Sequence, residues 1–594
     1  MYNIKEFSLK RLLYAVLINV ILICIALFVF VPFFEEIDDT HVAMIAEGAY
    51  GVREWHLIYP NIILGKIYVF LSSMMPYVRW HTVIQYIFIF IAYVLTTYVI
   101  SKHQYGYLIS LSACLSTFYE MYVSLQYTKT ASFVTTCGLI LIYENVRNSK
   151  YLSTENNSII SISKKTVVNE SRMYAIAGVI FLIYGGLLRQ EAFLIACIPM
   201  FFVGCIELAR TKMFLNYFKV LVPVFVAVVL VIFANNKVYQ ADSNWSDFME
   251  YNKVRMQLTD YRYDILDYPS NGEKLKELGV SENDAWLIVT YQFGDDSIFS
   301  TEYMQQIRNL SGRREFSIQI LKNLWESIGN EIKRNTVIIP ALLCFVILLI
   351  VTIVSERTKS DSVAIAEARM KMAVMFGIGA LSAMALIYFQ YSGRWSHRLA
   401  ASLVIPAIYA ICYMLDSPAI KEEDRGIIFG GNIKDRSVFV LGIAIVISVV
   451  FNVVCYKINI NDYSECKTLI EDKNMALTEF NDNSDVLYVI DTFTFQNSFK
   501  YDVFNPVVSG AMKNVVSCGS WFMNSPITKR VCESFGCTNP YDALINDNVQ
   551  AVLLDTYFPD EKAQFLTEHY NKLYNAVKVG NINNITEYIM EISK

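Results

Sequence analysis

This 594-residue chain is short of charge: Asp, Glu, Lys and Arg make up 18% of it, against roughly 25% in an average soluble protein. Its formal net charge is -5 and its basic residues form no clustered face, which excludes a nucleic-acid partner. There is no Walker loop, no GxGxxG and no GxSxG, so ATP and dinucleotide chemistry have no seat. No two cysteines show CxxC spacing, which argues against a zinc site. His41, His56, His81 and His103 lack metal-ligand spacing and read as interfacial or core residues. The chain also lacks internal repeats and low-complexity tracts. Its first apolar run, Leu12 to Phe34, has no small-x-small cleavage site and is longer than the apolar core of a signal peptide. It reads as an anchor that stays.

What the chain has is apolar surface. Hydrophobic residues make up 54% and aromatics 14%, with a mean hydropathy of +0.36. After the first run, hydropathy places spans at 82–100, 106–123, 130–145, 173–188, 191–208, 219–234, 336–354, 372–388, 399–415 and 438–455. The stretch 57–78 is apolar too, but Pro60, Asn61, Gly65, Lys66 and Pro76 interrupt it. Keeping it on the outer surface puts Lys5, Lys10 and Arg11 on the same side as Lys102, the linker from Arg147 to Arg172, Arg210 and Lys212. The same side then takes Arg357, Lys359, Arg369, Lys371, Lys421, Arg425, Lys434 and Arg436. The expectation is an α-helical polytopic membrane protein of about eleven spans, with its N-terminus in the cytoplasm and its C-terminus outside.

Residues 1–455 then form the membrane domain, with outer loops at 35–81 and about 235–335. Residues 456–594 form a small extracytoplasmic α/β domain. In it, Val486–Ile490 and Ala551–Leu554 read as buried strands ending in Asp491 and Asp555. A helix from Pro559 to Tyr570 and a hairpin closing at Gly580-Asn581 complete the pattern. Cys466, Cys518, Cys532 and Cys537 lie in this domain and leave room for up to two disulfides. The remaining cysteines, such as Cys114 and Cys344, sit in or beside apolar segments as small hydrophobes.

Three constellations carry chemistry. The first outer loop opens Glu35-Glu36-Ile37-Asp38-Asp39-Thr40, and mutual repulsion beside low dielectric raises carboxyl pKa values, as a general base requires. The plainer reading is that Asp38 and Asp39 cap an amphipathic helix, with Asp39 or Thr40 at its N-cap and Gly48 and Gly51 ending it. Next, Gly185-Gly186 precedes Arg189 and Glu191 at a turn between spans, where either an ion pair or a function accounts for the charges. Last, Tyr391, Arg394, His397 and Arg398 cluster before another span, with the two arginines on one helical face if the span starts there. Paired guanidiniums at that depth suit a phosphate or pyrophosphate, or an ordinary lipid headgroup. A divalent cation between Asp38/Asp39 and the long-loop carboxylates is compatible with these residues, and no motif demands it.

An anchor span, an outer loop opening with an acidic pair, many further spans and an outer C-terminal domain together resemble the GT-C superfamily of membrane glycosyltransferases. Asp38-Asp39-Thr40 through Ala49-Tyr50-Gly51, then His56-Leu57-Ile58-Tyr59-Pro60-Asn61 and Leu64-Gly65, is similar to bacterial multi-span proteins of GT-C-like type. The resemblance implies a polyprenyl-phosphate-linked sugar donor, a cell-envelope glycan or similar acceptor, and inversion by single displacement. It implies a base or metal ligand at Asp38 or Asp39, with Glu36, Arg189, Glu191, Tyr391, Arg394, His397 and Arg398 contacting substrate. Asp-Asp-Thr stands where better-known branches carry Asp-x-Asp, which bears on metal dependence. Two other readings remain open: a transporter or flippase of a lipid-linked glycan, and a non-catalytic envelope assembly protein.

Overall fold

The computed structural model describes residues 8–102, 105–154, 161–261, 264–312, 316–333, 362–414 and 436–593. Among them, eight helices are long and apolar enough to cross a membrane: Leu9–Phe28, Trp80–Ser101, Val167–Leu188, Gln190–Thr211, Phe214–Ala241, Met372–Tyr391, His397–Met414 and Leu441–Asp462. Each coincides with an expected span. The expected span 336–354 lies outside the described residues, as do His103, Arg357, Lys359, Lys421, Arg425 and Lys434.

Two other expected spans take different forms. The 106–123 run is a 13-residue helix, Gly106–Phe118, that widens into a π-turn at Tyr119–Val123. The 130–145 run lies within a 28-residue helix, Tyr127–Thr154, whose residues 127–144 are all buried. Its hydroxyls explain how it sits at the centre of the bundle. Thr135 Oγ1 and Thr136 Oγ1 donate back to Ala131 O and Ser132 O at 2.7 and 2.9 Å, so neither hydroxyl is left unsatisfied. Small residues bring the next helix, Ser161–Leu188, close: a Cβ at Gly138 would meet Gly178 O at 3.0 Å, and one at Gly185 would meet Thr135 Oγ1 at 2.2 Å. Gly185 and Gly186 are therefore a packing surface inside a helix, and the chain turns only at Arg189.

The 57–78 stretch holds a 13-residue helix, Ile62–Met74, capped by the Asn61 side chain. At 1.5 Å per residue it is about 20 Å long, short of the roughly 30 Å hydrocarbon core. A Cβ on Gly65 would fall 1.9 Å from the carbonyl oxygen of Trp55. Gly65→Ala is expected to push the 54–59 segment off this helix and destabilise the protein by ~1–3 kcal/mol, read as a lowered melting temperature in detergent.

Apart from a short parallel pair, β1 (Phe33–Phe34) and β2 (Ser124–Leu125), a five-stranded sheet sits at one end of the bundle in the order β4 (Val515–Ser517), β3 (Leu487–Ile490), β5 (Ala551–Leu554), β7 (Ile585–Ile592), β6 (Tyr574–Ile582). Strands β3, β4 and β5 run parallel, and β6 and β7 form an antiparallel hairpin. The hairpin turns at Asn583-Asn584, with Asn583 at φ 53°, and not at Gly580-Asn581 as expected. Gly580 marks a register shift instead. A single 47-residue helix, Arg436–Asp482, runs from the bundle to this sheet, and residues 455 and 456 lie within it. Cys518, Cys532 and Cys537 are buried free thiols, and Cys537 Sγ donates to Cys532 O at 3.2 Å; the side chain of Cys466 is outside the described residues.

The long loop after Phe214–Ala241 shares one apolar core with the sheet: Tyr251, Leu258, Phe293 and Phe299 pack with Val489, Val516, Leu553 and Phe565. Polar ties reinforce the contact, including Asn539 Nδ2 to Asp295 Oδ1 at 3.0 Å and Tyr541 N to Gly294 O at 3.3 Å. The first loop is clamped to the same body. Gly510 N and Met512 N donate to Gly48 O and Ala49 O, both at 2.8 Å. Arg79 forks onto Glu47 at 2.8 and 3.2 Å and reaches Asp502 O at 2.6 Å. First loop, long loop and sheet thus meet at one end of the bundle.

Candidate active site

The acidic helix Ile37–Glu47 lies beneath that junction. Glu36 occupies its N-cap position without a side-chain cap, so Asp38 and Asp39 fall in the first turn; neither Asp39 nor Thr40 is the cap. The helix is not amphipathic: every residue from Asp38 to Glu47 is buried. Gly48 ends it at φ 84°, a left-handed conformation natural to glycine, and Gly51 follows at φ 105°.

The adjacent aspartates have different surroundings. Asp39 is fully enclosed, with Oδ1 at 2.8 Å from His81 Nε2 and accepting from Gln85 Nε2 at 3.3 Å and Tyr127 N at 3.2 Å. Burial raises its pKa despite the His81 and Gln85 hydrogen bonds. Asp38 accepts from Arg398 Nη1 through Oδ2 and from Trp521 Nε1 at 2.8 Å through Oδ1. Burial works to raise its carboxyl, but Arg398, with Arg189 behind it, overrides burial and holds it below the usual carboxylate range. His41, on the same helix, is stacked on Phe495 at 5.0 Å, and burial lowers its pKa to about 3, so it brings no charge.

Glu36 differs again. It is half-buried beside a cleft of about 190 Å³ between the acidic helix and the sheet domain, which Thr40, Gln496, Asn497, Lys500 and Tyr501 also line. Burial pushes its carboxyl up to about 7, against the pull of Arg398 and with help from Asp38 and Glu35. A carboxyl poised there is half-ionised at neutral pH, as a general base should be.

Around these carboxylates lie the cations. Arg189 Nε pairs with Glu191 Oε2 at 2.9 Å, its Nη1 donates to Tyr127 OH at 3.3 Å, and its guanidinium lies 4.3 Å from the centre of the Tyr59 ring. Glu191 is half-exposed, so this pair adds little stability and is easily opened. Arg394 and Arg398 do not share a helical face. The helix begins only at His397, and Gly393 at φ 73° turns Arg394 toward the long loop. There Arg394 Nη1 donates to Tyr261 OH at 3.1 Å, with Asp260 Oδ2 3.9 Å from its Nη2. Asp260 also pairs with the buried Arg255 at 3.1 Å. Tyr391 packs against Phe316, with ring centres 6.3 Å apart.

Below Glu36, Lys129 Nζ is fully buried between Glu35 Oε2 at 2.5 Å and Glu120 Oε2 at 2.6 Å, and His397 Nε2 lies 3.1 Å from the same Glu120 oxygen. Glu35, Glu120 and His397 have the donor types and proximity for a metal ion, but Lys129 already binds two of the three. The other such group among the described residues is Asp284, Glu568 and His569, and neither group includes Asp38 or Asp39. Lys129→Met takes the lysine from Glu35 and leaves Glu120 with His397 alone; a loss of ~3–5 kcal/mol is expected, partly recovered by adding Glu35→Gln, as thermal unfolding would show.

Sequence reasoning missed Trp521, Lys129, Glu120, Tyr59 and Tyr127. Glu120 and Lys129 carried a signal, since ionisable residues within or beside apolar runs are usually paired or functional. Trp521 carried none, because 483 positions separate it from Asp38.

No protein-family model matches this sequence, and no curated protein matches it. Among solved structures, the chain aligns with the crystal structure of ArnT from Cupriavidus metallidurans bound to undecaprenyl phosphate, over 98% of both chains, at 10% sequence identity and a TM-score of 0.35. At that level of similarity no residue or ligand carries over, and the site stands on its own geometry.

Proposed function

We propose that this chain transfers a sugar from a polyprenyl-phosphate donor to a cell-envelope glycan at the extracytoplasmic end of the bundle, where the C-terminal domain lies. The observation that carries this reading is the pairing of a buried acidic first turn with guanidiniums at helix starts: Asp38 bound by Arg398, Arg189 nearby, and Glu36 open to a cleft.

The roles follow from which groups are already engaged. Arg398, with Arg189, holds the donor's phosphate; Asp38 keeps Arg398 compensated and aimed until the phosphate arrives. The base falls to Glu36, because Asp38 is bonded to Arg398 and Trp521, and Asp39 to His81, Gln85 and Tyr127. An acceptor hydroxyl in the Glu36 cleft attacks the anomeric carbon and gives its proton to Glu36. The bond from that carbon to the phosphate oxygen breaks through an oxocarbenium-like state, and the lipid phosphate leaves with both electrons onto the arginines. Attack opposite the leaving group inverts the anomeric configuration.

The anomeric configuration of the product, read by NMR after transfer from a β-linked polyprenyl-phosphate sugar, tests this reading. An α-linked product is expected. A β-linked product requires two displacements and would remove Glu36 from the role of base.

A further inference from the structure

The second cleft lies in the long loop, away from the acidic helix. It encloses about 700 Å³ and is lined by Trp286, Tyr268 and Tyr291 together with Thr259, Asp267 and Glu282. That volume lies in the range of small-molecule sites. Its lining combines aromatic rings with the oxygens of Asp267, Glu282 and Thr259. Trp286 leaves 47% of its surface open on the helix Glu282–Val289, beside the exposed Val289, while Ala285, Leu287 and Ile288 of the same helix are buried. Its indole continues across the surface to Phe558 of the sheet domain, 6.1 Å away edge to face, and from there to Phe493 at 5.4 Å. The result is a line of rings leading out of the cleft.

One wall is held in place at a cost. Tyr291 has φ 61°, a left-handed conformation that is strained for a bulky residue. Its carbonyl accepts from Ser520 N at 3.3 Å, and a Cβ at Gly519 would lie 2.1 Å from that oxygen, so the sheet domain is shaped to seat it. Its hydroxyl reaches Asp260, which Arg255 and Arg394 also contact, at 3.4 Å. The Tyr59 hydroxyl feels the charges of Arg255 and Asp260 in the long loop as well as those of Asp38 and Arg189.

We infer that this cleft is a binding subsite for a glycan chain, the acceptor of the transfer proposed above. Sugar rings present apolar C–H faces that stack on Trp286 and Tyr268, and hydroxyl edges that donate to Asp267, Glu282 and Thr259. A phosphorylated lipid headgroup does not fit, because Asp267 and Glu282 would face its phosphate. The line of rings over Phe558 and Phe493 matches a polymer longer than the cleft. The inference rests on the proposed function for its word acceptor, but glycan binding itself needs no donor and no base.

The test is binding of the purified full-length chain in detergent to an array of neutral and amino-sugar oligosaccharides, followed by calorimetric titration of the best tetrasaccharide, with choline as a competing cation. Binding is expected for wild type. Trp286→Ala should weaken it at least about tenfold, or ~1.4 kcal/mol, while Trp286→Phe retains most of it. Absence of glycan binding, binding indifferent to Trp286→Ala, or displacement by choline would overturn the inference. If glycan binds but no sugar is ever transferred, the subsite stands and the proposed enzyme activity fails.

Discussion

Replacing Arg398 with Ala should abolish transfer and destabilise the protein in the same step. Asp38 is buried and bonded to Arg398, so removing the guanidinium leaves a carboxylate held by Trp521 alone. Breaking a buried pair in this way costs ~3–5 kcal/mol. Losing a preorganised charge on the departing phosphate costs a further ~10²–10³ in rate. The two effects separate in the double variant Arg398→Ala with Asp38→Asn: thermal stability should largely return, and transfer should not. Arg398→Lys should also be impaired, because an ammonium cannot fork between Asp38 and a phosphate. If stability and transfer recovered together in the double variant, Arg398 would be a structural partner of Asp38 and no phosphate ligand.

Glu36→Gln should lower the transfer rate by ~10²–10⁴ while leaving the melting temperature intact. The carboxyl is pushed up to about 7 by burial, so in wild type its ionised, base-competent form is lost as pH falls below that value. kcat/KM should therefore fall about tenfold per pH unit below 7 and level off above it. In Glu36→Gln that limb should disappear from the residual activity. A base at Asp38, held below the usual carboxylate range, would instead give a profile with no limb near 7. Rates across pH on wild type and Glu36→Gln distinguish the two carboxylates.

Hydropathy was sufficient for most of the helical framework, because every expected span among the described residues overlaps a helix. It failed where local pattern and packing part company. Gly185-Gly186 looked like a break, yet both glycines serve close helix contact against Thr135 and Val228. Tyr127–Thr154 reads as a short span with polar ends, although its central position depends on hydroxyls bonding back to its own turns. The β3 and β5 strands were legible from apolar runs of five and four residues, whereas the three residues of β4 were too few to show.

At the site, the sequence drew attention to the acidic turn and the arginines but could not distribute their partners. Asp38 and Asp39 differ only in which way the first turn faces, and that depends on Glu36 taking the N-cap position. Arg394 and Arg398 separate because Gly393 adopts a left-handed φ of 73°. Trp521 and Lys500 reach the acidic helix only through the fold of the sheet domain, which no local window contains.

The most direct measurement is sugar transfer from a labelled polyprenyl-phosphate donor panel by the purified chain, comparing wild type with Glu36→Gln and Arg398→Ala/Asp38→Asn at matched stability. Transfer by wild type that both variants lose is the predicted result. Transfer that persists in both variants, or a wild type that moves no sugar from any donor to envelope glycans, would contradict it.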